Sequence, residues 1–312
     1  MTTRVAVIGG GQSCEHEVSL ASAAGVAAGL DPTSYDVVPL TIGRDGTWRD
    51  RGWRPMGLSG VAQILRGCEV VFPLVHGPRG EDGTLAALCE LAGLRYVGSG
   101  VGAGALAMDK WATKLVANAL GIATAPGRLV TVPGAPIEPW TGPVVVKPVA
   151  AGSSRGVSKV CEPDGLRPAL EAALALDSRA LVEDVIAGRE IDVAVLRCAD
   201  GALVAAPPLE IVGDGVFDYD AKYGGAADFR VPAVLEERDA KALEDAALTV
   251  YAALGCSGVA RVDFFLTDAG PVLNEVNTTP GMTEHSQVPR MFAAAGLGYS
   301  DLLDELVRGA HR

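Results

Sequence analysis

Gly258-Val-Ala-Arg261-Val-Asp263-Phe-Phe-Leu-Thr267-Asp-Ala-Gly270-Pro271-Val-Leu-Asn274-Glu275-Val-Asn277 reads as two apolar runs around Asp268-Ala269-Gly270. A three-residue hairpin loop with Gly in the left-handed position suits that pattern. Pairing Thr267 with Pro271 sets Asp263 opposite Glu275 and Arg261 opposite Asn277. Strand alternation then places all four on one face. Opposed carboxylates repel. Either the face is simply solvated, or a hard cation relieves the conflict, and oxygen ligands from Asp, Glu and Asn suit Mg²⁺. The loop that follows, Asn277-Thr-Thr-Pro-Gly281-Met282, ends the strand with free amides and favours a site.

Working outward, Pro143-Val-Val-Val-Lys147-Pro148 places a lysine at a strand end before Gly152-Ser153-Ser154-Arg155-Gly156. Such a loop can hold phosphate through its amides and the ammonium. It lacks the Gly-Lys-Ser/Thr order of a P-loop, and such a loop alone is more often an ordinary turn. Lys110, in Met108-Asp109-Lys110, is a candidate second cation. In Val182-Glu183-Asp-Val185-Ile186-Ala-Gly-Arg-Glu190 the apolar residues can face an adenine while the two glutamates take polar edges of a nucleotide.

Near the N-terminus, Arg4 to Ile8 is a buried-strand run that ends in Gly9-Gly10-Gly11-Gln-Ser13-Cys-Glu15-His16-Glu17. That turn lacks the spaced glycines of a dinucleotide fingerprint but can present an anionic side chain to an ammonium. Val75-His76-Gly77 to Gly83 is a second polar loop after a strand. A helical stretch from about Glu17 to Leu30, strands at 35–41 and 69–74, and a helix at 61–67 imply a parallel sheet. Beyond Ala105 the reading is a helix over 108–120, strands at 127–132, 144–147, 159–160 and 180–183, and helices at 165–176 and 238–254. The remainder is expected to be strands joined by polar loops. The fold class is therefore α/β and α+β, with a doubly wound N-terminal domain at 1–104, a central α+β domain at 105–190 and a C-terminal one at 191–312.

The net charge of −12 over 312 residues argues against nucleic acid or an anionic membrane as partner, since phosphate backbones reward clustered Lys and Arg. No apolar run approaches the ~20 residues needed to span a bilayer, and no signal peptide is evident. The six cysteines lack close pairs and zinc-ligand spacing. They fit a reducing cytoplasm.

In order along the chain, six strings resemble those of the D-alanine–D-alanine ligase family of the ATP-grasp superfamily. They are Gly10-Gly11-x-Ser13-x-Glu15-His16-Glu17-Val18-Ser19, His76-Gly77-x-x-Gly80-Glu81-Asp82-Gly83, Met108-Asp109-Lys110, Lys147-Pro148 with Gly152-Ser153-Ser154, Tyr219-Asp-Ala-Lys222-Tyr223, and Asn274-Glu275-Val-Asn277-Thr-x-Pro280-Gly281-Met282-Thr283.

The resemblance implies an ATP-grasp fold whose two later domains clasp ATP, and a cytoplasmic homodimer that makes D-alanyl-D-alanine for peptidoglycan through an acyl phosphate. It implies that Lys110, Lys147 and Ser154 meet the phosphates, and Glu183, Val185, Ile186 and Glu190 the nucleoside. Asp263, Glu275 and Asn277 would carry two Mg²⁺ ions, with Mn²⁺ as a substitute. Glu15 would take the first ammonium beside His76, and Ser153 and Tyr223 would join Glu15 in a cluster that assists proton loss. Arg261 and Gly281 would stabilise the oxyanion, and Ser286 would bind the second carboxylate.

Relatives that use D-lactate replace the pair equivalent to Lys222-Tyr223, so this pair implies an amine acceptor. Val212 to Asp228, with glycines around aromatic anchors, is the expected lid. Two departures stand out: Ala86-Ala87 in place of Gln-Gly, and Gln287 where Leu is common. The second motivates an alternative, a ligase for a polar acceptor such as D-serine or for a natural-product dipeptide. A nucleotide-binding module without catalysis is the remaining reading.

Overall fold

The computed structural model describes residues 2–131, 140, 142–212 and 228–311. Three sheets organise the chain. The first has the order β4-β3-β2-β1-β5-β6. Its centre is β1 (Thr3–Gly10), buried from Val5 onward, with β2 (Tyr35–Ile42) and β5 (Val70–Pro73) parallel on either side. Short β6 (Arg95–Tyr96) extends the parallel part, and β3 (Trp48–Arg49) and β4 (Pro55–Met56) form an antiparallel edge. Helices α1 (His16–Gly29), α2 (Leu58–Arg66) and α3 (Thr84–Leu91) complete this unit. Because β2 and β5 flank β1, the carboxyl ends of β1 and β5 form a topological switch point, the usual place for a ligand crevice. The loops carrying Glu15 and His76 leave from there.

The second sheet, β7-β10-β8-β9, is antiparallel. It contains β7 (Gly127–Val130), β8 (Val144–Pro148), β9 (Ser158–Val160) and β10 (Ala180–Asp184). Helix α6 (Leu166–Leu174) buries Leu166, Ala169, Leu170 and Ala173 against it.

The expected helix over 108–120 is α5 (Lys110–Ala119), while Met108 ends a separate preceding helix, α4 (Val101–Met108); the two part at Asp109, with φ −84° and ψ 95°. The Asp109 side chain accepts from the Ala112 N–H, so the aspartate that looked internal starts a new helix. The far end of the expected strand 127–132 lies outside the described residues.

The third sheet runs β14-β13-β11-β15-β16, with β12 (Leu203–Ala205) beside β11. Its strands are β11 (Arg189–Arg197), β13 (Leu209–Val212), β14 (Asp228–Arg230), β15 (Val259–Thr267) and β16 (Gly270–Asn277). Helix α7 (Glu237–Leu254) covers one face with Leu243, Ala247, Val250, Tyr251 and Leu254, alongside Ala103, Ala107 and Ala117 of α4 and α5. The strands answer with Ile191, Val193, Val195, Ala260, Val262, Phe264 and Leu266. Burying a side chain such as Phe264 is worth roughly 2–3 kcal/mol.

The expectation of only strands and loops after 254 fails in the last segment. Two further helices, α8 (Gln287–Ala294) and α9 (Tyr299–Arg308), follow the hairpin. Val288, Met291 and Phe292, then Leu302, Leu303, Leu306 and Val307, lie at helical spacing and pack with Val5, Val7, Val26 and Val259. These helices therefore join the first sheet to the third. Among the described residues no helix is long and apolar enough to cross a membrane.

Candidate active site

The hairpin β15–β16 has the expected far register and an unexpected tip. Arg261 pairs with Asn277 and Asp263 with Glu275, but Phe264 pairs with Leu273 and Thr267 with Gly270. The loop is thus two residues, Asp268 and Ala269, with Gly270 at φ +113°. A bulge restores the register, leaving Asn274 as the extra residue. Leu273 and Val276 both enter the core, three positions apart, while Asn274 and Glu275 reach the lysines of the neighbouring elements. Simple alternation missed this because it assumes a period of two throughout.

Across the sheet the register also sets Asp192 of β11 opposite Asp263. Three carboxylates, Asp192, Asp263 and Glu275, therefore cross three adjacent strands. Arg261 stands within this row. Its Nε and Nη2 donate to the two Asp263 oxygens at 2.7 Å each, and its Nε lies 3.3 Å from Asp192 Oδ2. The Asn277 amide donates to Asp263 Oδ2 at 3.0 Å. Burial opposes the Arg261 charge, but Asp263 and Asp192 more than offset it and hold its pKa well above the ordinary value.

Lys110, the first residue of α5, lies 3.1 Å from Glu275 Oε2 and donates to the Ala151 carbonyl at 2.9 Å. Burial works against its charge too, yet Glu275 turns the net shift upward.

Lys110, Arg261, Asp263, Glu275 and Asn277 face a cavity of about 470 Å³, with Asp192 buried behind them. Among the described residues its charged lining comprises Glu15, Glu190, Asp263 and Glu275 against Lys110 and Arg261, with Glu81 beside them. His76, Ser153, Asn277, Gly281, Ser286 and Gln287 line it as well. Acids outnumber bases, so the site as built attracts cations and ammonium groups.

Glu15 immediately precedes α1, and the Ser153 hydroxyl donates to its Oε1 at 2.5 Å. Ser153 and Ser154 adopt φ of +51° and +56°, a left-handed turn that non-glycine residues rarely take. This bond ties the loop after β8 to the first unit.

His76 is buried, and its Nδ1 sits 2.6 Å from the Thr279 carbonyl, which can only accept. Nδ1 therefore carries the proton. Nε2 faces the Ser22 hydroxyl at 3.3 Å, which itself accepts from the Met282 N–H. Burial pushes the His76 pKa down. A neutral His76 thus positions the Thr279–Met282 loop. Glu81, quoted in a motif without a role, is pushed up to about 8 by burial and then by the charge of Glu15.

A second charge cluster lies apart from the cavity lining. Glu183 sits between two buried lysines, with Lys147 2.6 Å from its Oε2 and Lys114 on its Oε1. Lys147 also donates to Asn274 Oδ1 at 3.1 Å, and Lys114 to the Ala125 carbonyl at 2.6 Å. Burial raises the Glu183 pKa, and the two lysines outweigh it and bring it below the ordinary value.

Lys114 escaped the sequence reading, although it follows Lys110 by one helical turn and so shares its face. Ser154, Val185 and Ile186, like Lys147 and Glu183, are not in the described cavity lining. Lys222, Tyr223 and the interior of the expected lid lie outside the described residues. Among the described residues no group of three or more His, Cys, Asp and Glu is arranged to hold a metal alone.

Comparison with known proteins gives a consistent picture. The family model described as D-ala D-ala ligase N-terminus matches residues 4–58 and 57–99, and that described as D-ala D-ala ligase C-terminus matches residues 133–308. A D-alanine--D-alanine ligase of Corynebacterium urealyticum is 41% identical, with 99% of this chain and 98% of that protein covered. Among solved structures, VanG D-Ala:D-Ser ligase from Enterococcus faecalis has a TM-score of 0.87 at 35% identity, covering 99% of both chains. A D-alanine--D-alanine ligase from Bacillus anthracis complexed with ATP has a TM-score of 0.82 at 29% identity, covering 99% of this chain and 97% of the other.

Proposed function

The chain belongs to the D-alanine–D-alanine ligase family, and from that premise we propose that it joins two D-alanine molecules at the expense of ATP, supplying dipeptide for peptidoglycan. The observation that carries this reading is the pair Asp263–Glu275 with Arg261 and Lys110, facing the cavity that also holds Glu15 and Ser153, with Asp192 buried behind Arg261.

A carboxylate is a poor electrophile, so it must first be activated. One oxygen of the first D-alanine attacks the γ-phosphorus, the bond to the bridging oxygen of ADP breaks, and an acyl phosphate results. Lys110, Lys147 and Ser154 are the groups assigned to the phosphates. Glu183, Val185, Ile186 and Glu190 are assigned to the nucleoside, between the second and third sheets. Glu15 takes the ammonium of that first substrate, with Ser153 fixing its carboxylate.

The amine of the second D-alanine, having lost a proton, then attacks the acyl carbon. Arg261 and the Gly281 N–H meet the negative charge that develops on oxygen, and phosphate leaves with one former carboxyl oxygen. Ser286 holds the second carboxylate, and the Glu15–Ser153–Tyr223 cluster receives the amine's proton. Lys222 accompanies Tyr223 at the acceptor.

Asp263, Glu275 and Asn277 fit Mg²⁺. They offer hard oxygen donors, and Mg²⁺ binds through one or two carboxylates plus substrate phosphates rather than a protein cage. Bound there, it would neutralise phosphate and carboxylate charge together. We place the unit boundaries near 104 and 190, and the enzyme in the cytoplasm as a homodimer.

Mass spectrometry of products from ATP, Mg²⁺ and a D-alanine/D-serine mixture tests the reading. D-alanyl-D-alanine should dominate, with one ADP per dipeptide. A product carrying only D-serine at its second position would transfer the chain to the D-serine reading that Gln287 motivates. Absence of D-alanine-dependent ADP would remove the ligase reading altogether.

A further inference from the structure

The Gln287 side-chain amide is engaged at both ends. Its Oε1 accepts from Arg261 Nη1 at 2.6 Å, and its Nε2 donates to Asp192 Oδ2 at 2.8 Å. Asp192 is fully buried. The residue opens α8, whose next turns are anchored by buried Val288, Met291 and Phe292, so the amide is presented from a fixed element.

We propose that Gln287 is a positioning residue for Arg261, bridging its guanidinium to buried Asp192, and that this amide does not select the acceptor. The inference rests on the ligase reading, in which Arg261 meets the developing oxyanion.

The geometry gives the reason. Asp263 grips Nε and Nη2 from one side, and Gln287 holds Nη1 on the other, fixing the plane at both ends. These bonds use one hydrogen on each nitrogen of a group that carries five, leaving donors for a ligand. Asp192 meanwhile lies 3.3 Å from Arg261 Nε. Without the Gln287 donor, its carboxylate has less to hold it and competes with Asp263 for the guanidinium, drawing it toward β11. A leucine at 287 would release both contacts. The two contacts turn the amide toward Arg261 and Asp192 rather than toward an acceptor side chain.

The test uses the full chain with Gln287→Leu and Gln287→Met, each also in an Arg261→Lys background. A lost charge-assisted hydrogen bond should lower kcat about 10-fold with KM for ATP within about 2-fold. In the Arg261→Lys background the same change should cost less than about 2-fold, because residues acting through one group are not additive. The ratio of D-alanyl-D-alanine to D-alanyl-D-serine should stay within about 2-fold of wild type on equimolar acceptors, since the amide is not the reader.

Unchanged kcat in both variants, equal losses in both backgrounds, or a product ratio moved beyond about 5-fold toward D-alanine would each overturn the proposal. A readout without turnover separates it from the ligase reading. Arg261 N–H signals of ¹⁵N-arginine protein should exchange with water faster in Gln287→Leu than in wild type. Equal exchange rejects the clamp even if the enzyme proves to use other substrates.

Discussion

Helix α5 carries two lysines one turn apart whose surroundings differ in kind. Lys110 meets Glu275 at the edge of a cavity where acids outnumber bases. Lys114 meets Glu183 in a buried cluster with Lys147, away from the cavity lining. The residue types are the same. Enclosure and balance decide the outcome: the buried cluster links α5, β8 and β10, and the open row keeps an excess of negative charge that a charged ligand can satisfy. Lys147 stands between the two, because a phosphate would compete with Glu183 for its ammonium. Lys114 is then the cation that keeps Glu183 paired.

The sharpest way to break this contrast is to neutralise one carboxylate on each side. Glu275→Gln removes charge from the open row with little change in volume. Turnover should fall about 1000-fold, equivalent to ~4 kcal/mol of transition-state stabilisation. Its melting temperature should stay within about 3 °C. Steady-state ADP release and a thermal scan check both, and near-normal turnover would contradict the assignment of the row.

Glu183→Gln should do the reverse of a purely catalytic change. It leaves Lys114 and Lys147 buried together without their shared anion, and breaking such a pairing costs about 3 kcal/mol. Urea denaturation reads this directly. An unaltered midpoint would mean that the cluster is not holding the sheet to the helix.

Lys114→Met should be milder, because a one-to-one pair of Glu183 and Lys147 remains, with a loss of about 1 kcal/mol. That pair should also retain Lys147, so KM for ATP should rise about 5-fold while kcat changes little. An unchanged KM would remove Lys114 from the account of nucleotide binding.

Glu81 gives a smaller, pH-dependent effect. Its folded pKa is about 8 against an ordinary 4.5. Below the lower value both folded and unfolded chains hold the proton, and nothing is gained or lost. Between the two the unfolded chain releases its proton and the native state keeps it, so stability falls as pH rises through this window. Glu81→Gln should therefore match wild type near pH 5 and exceed it near pH 8 by on the order of 1 kcal/mol. A constant difference across that range would show that Glu81 titrates normally.

Much of this was legible in the sequence because it depends on period and order. The apolar run of β1, the glycine turn before Glu15 and the facing of Asp263 with Glu275 follow from alternation and turn chemistry. Asp192 and Lys114 were not legible, since each matters only through a neighbour brought by tertiary pairing: Asp192 through the β11–β15 register, Lys114 through Glu183. The bulge at Asn274 was hidden because a hairpin with one extra residue reads much like one with a longer loop. Helices α8 and α9 are 8 and 10 residues long, so their apolar spacing is a weak signal alone, and the first-sheet residues they pack on are distant in sequence.

The central claim is that a carboxylate is activated as an acyl phosphate in the acid-rich cavity. Supplying D-alanine with ¹⁸O in both carboxyl oxygens, with ATP and Mg²⁺, tests it most directly. The account predicts one ¹⁸O in each inorganic phosphate released per dipeptide formed. Phosphate free of label, with dipeptide still produced, would contradict it.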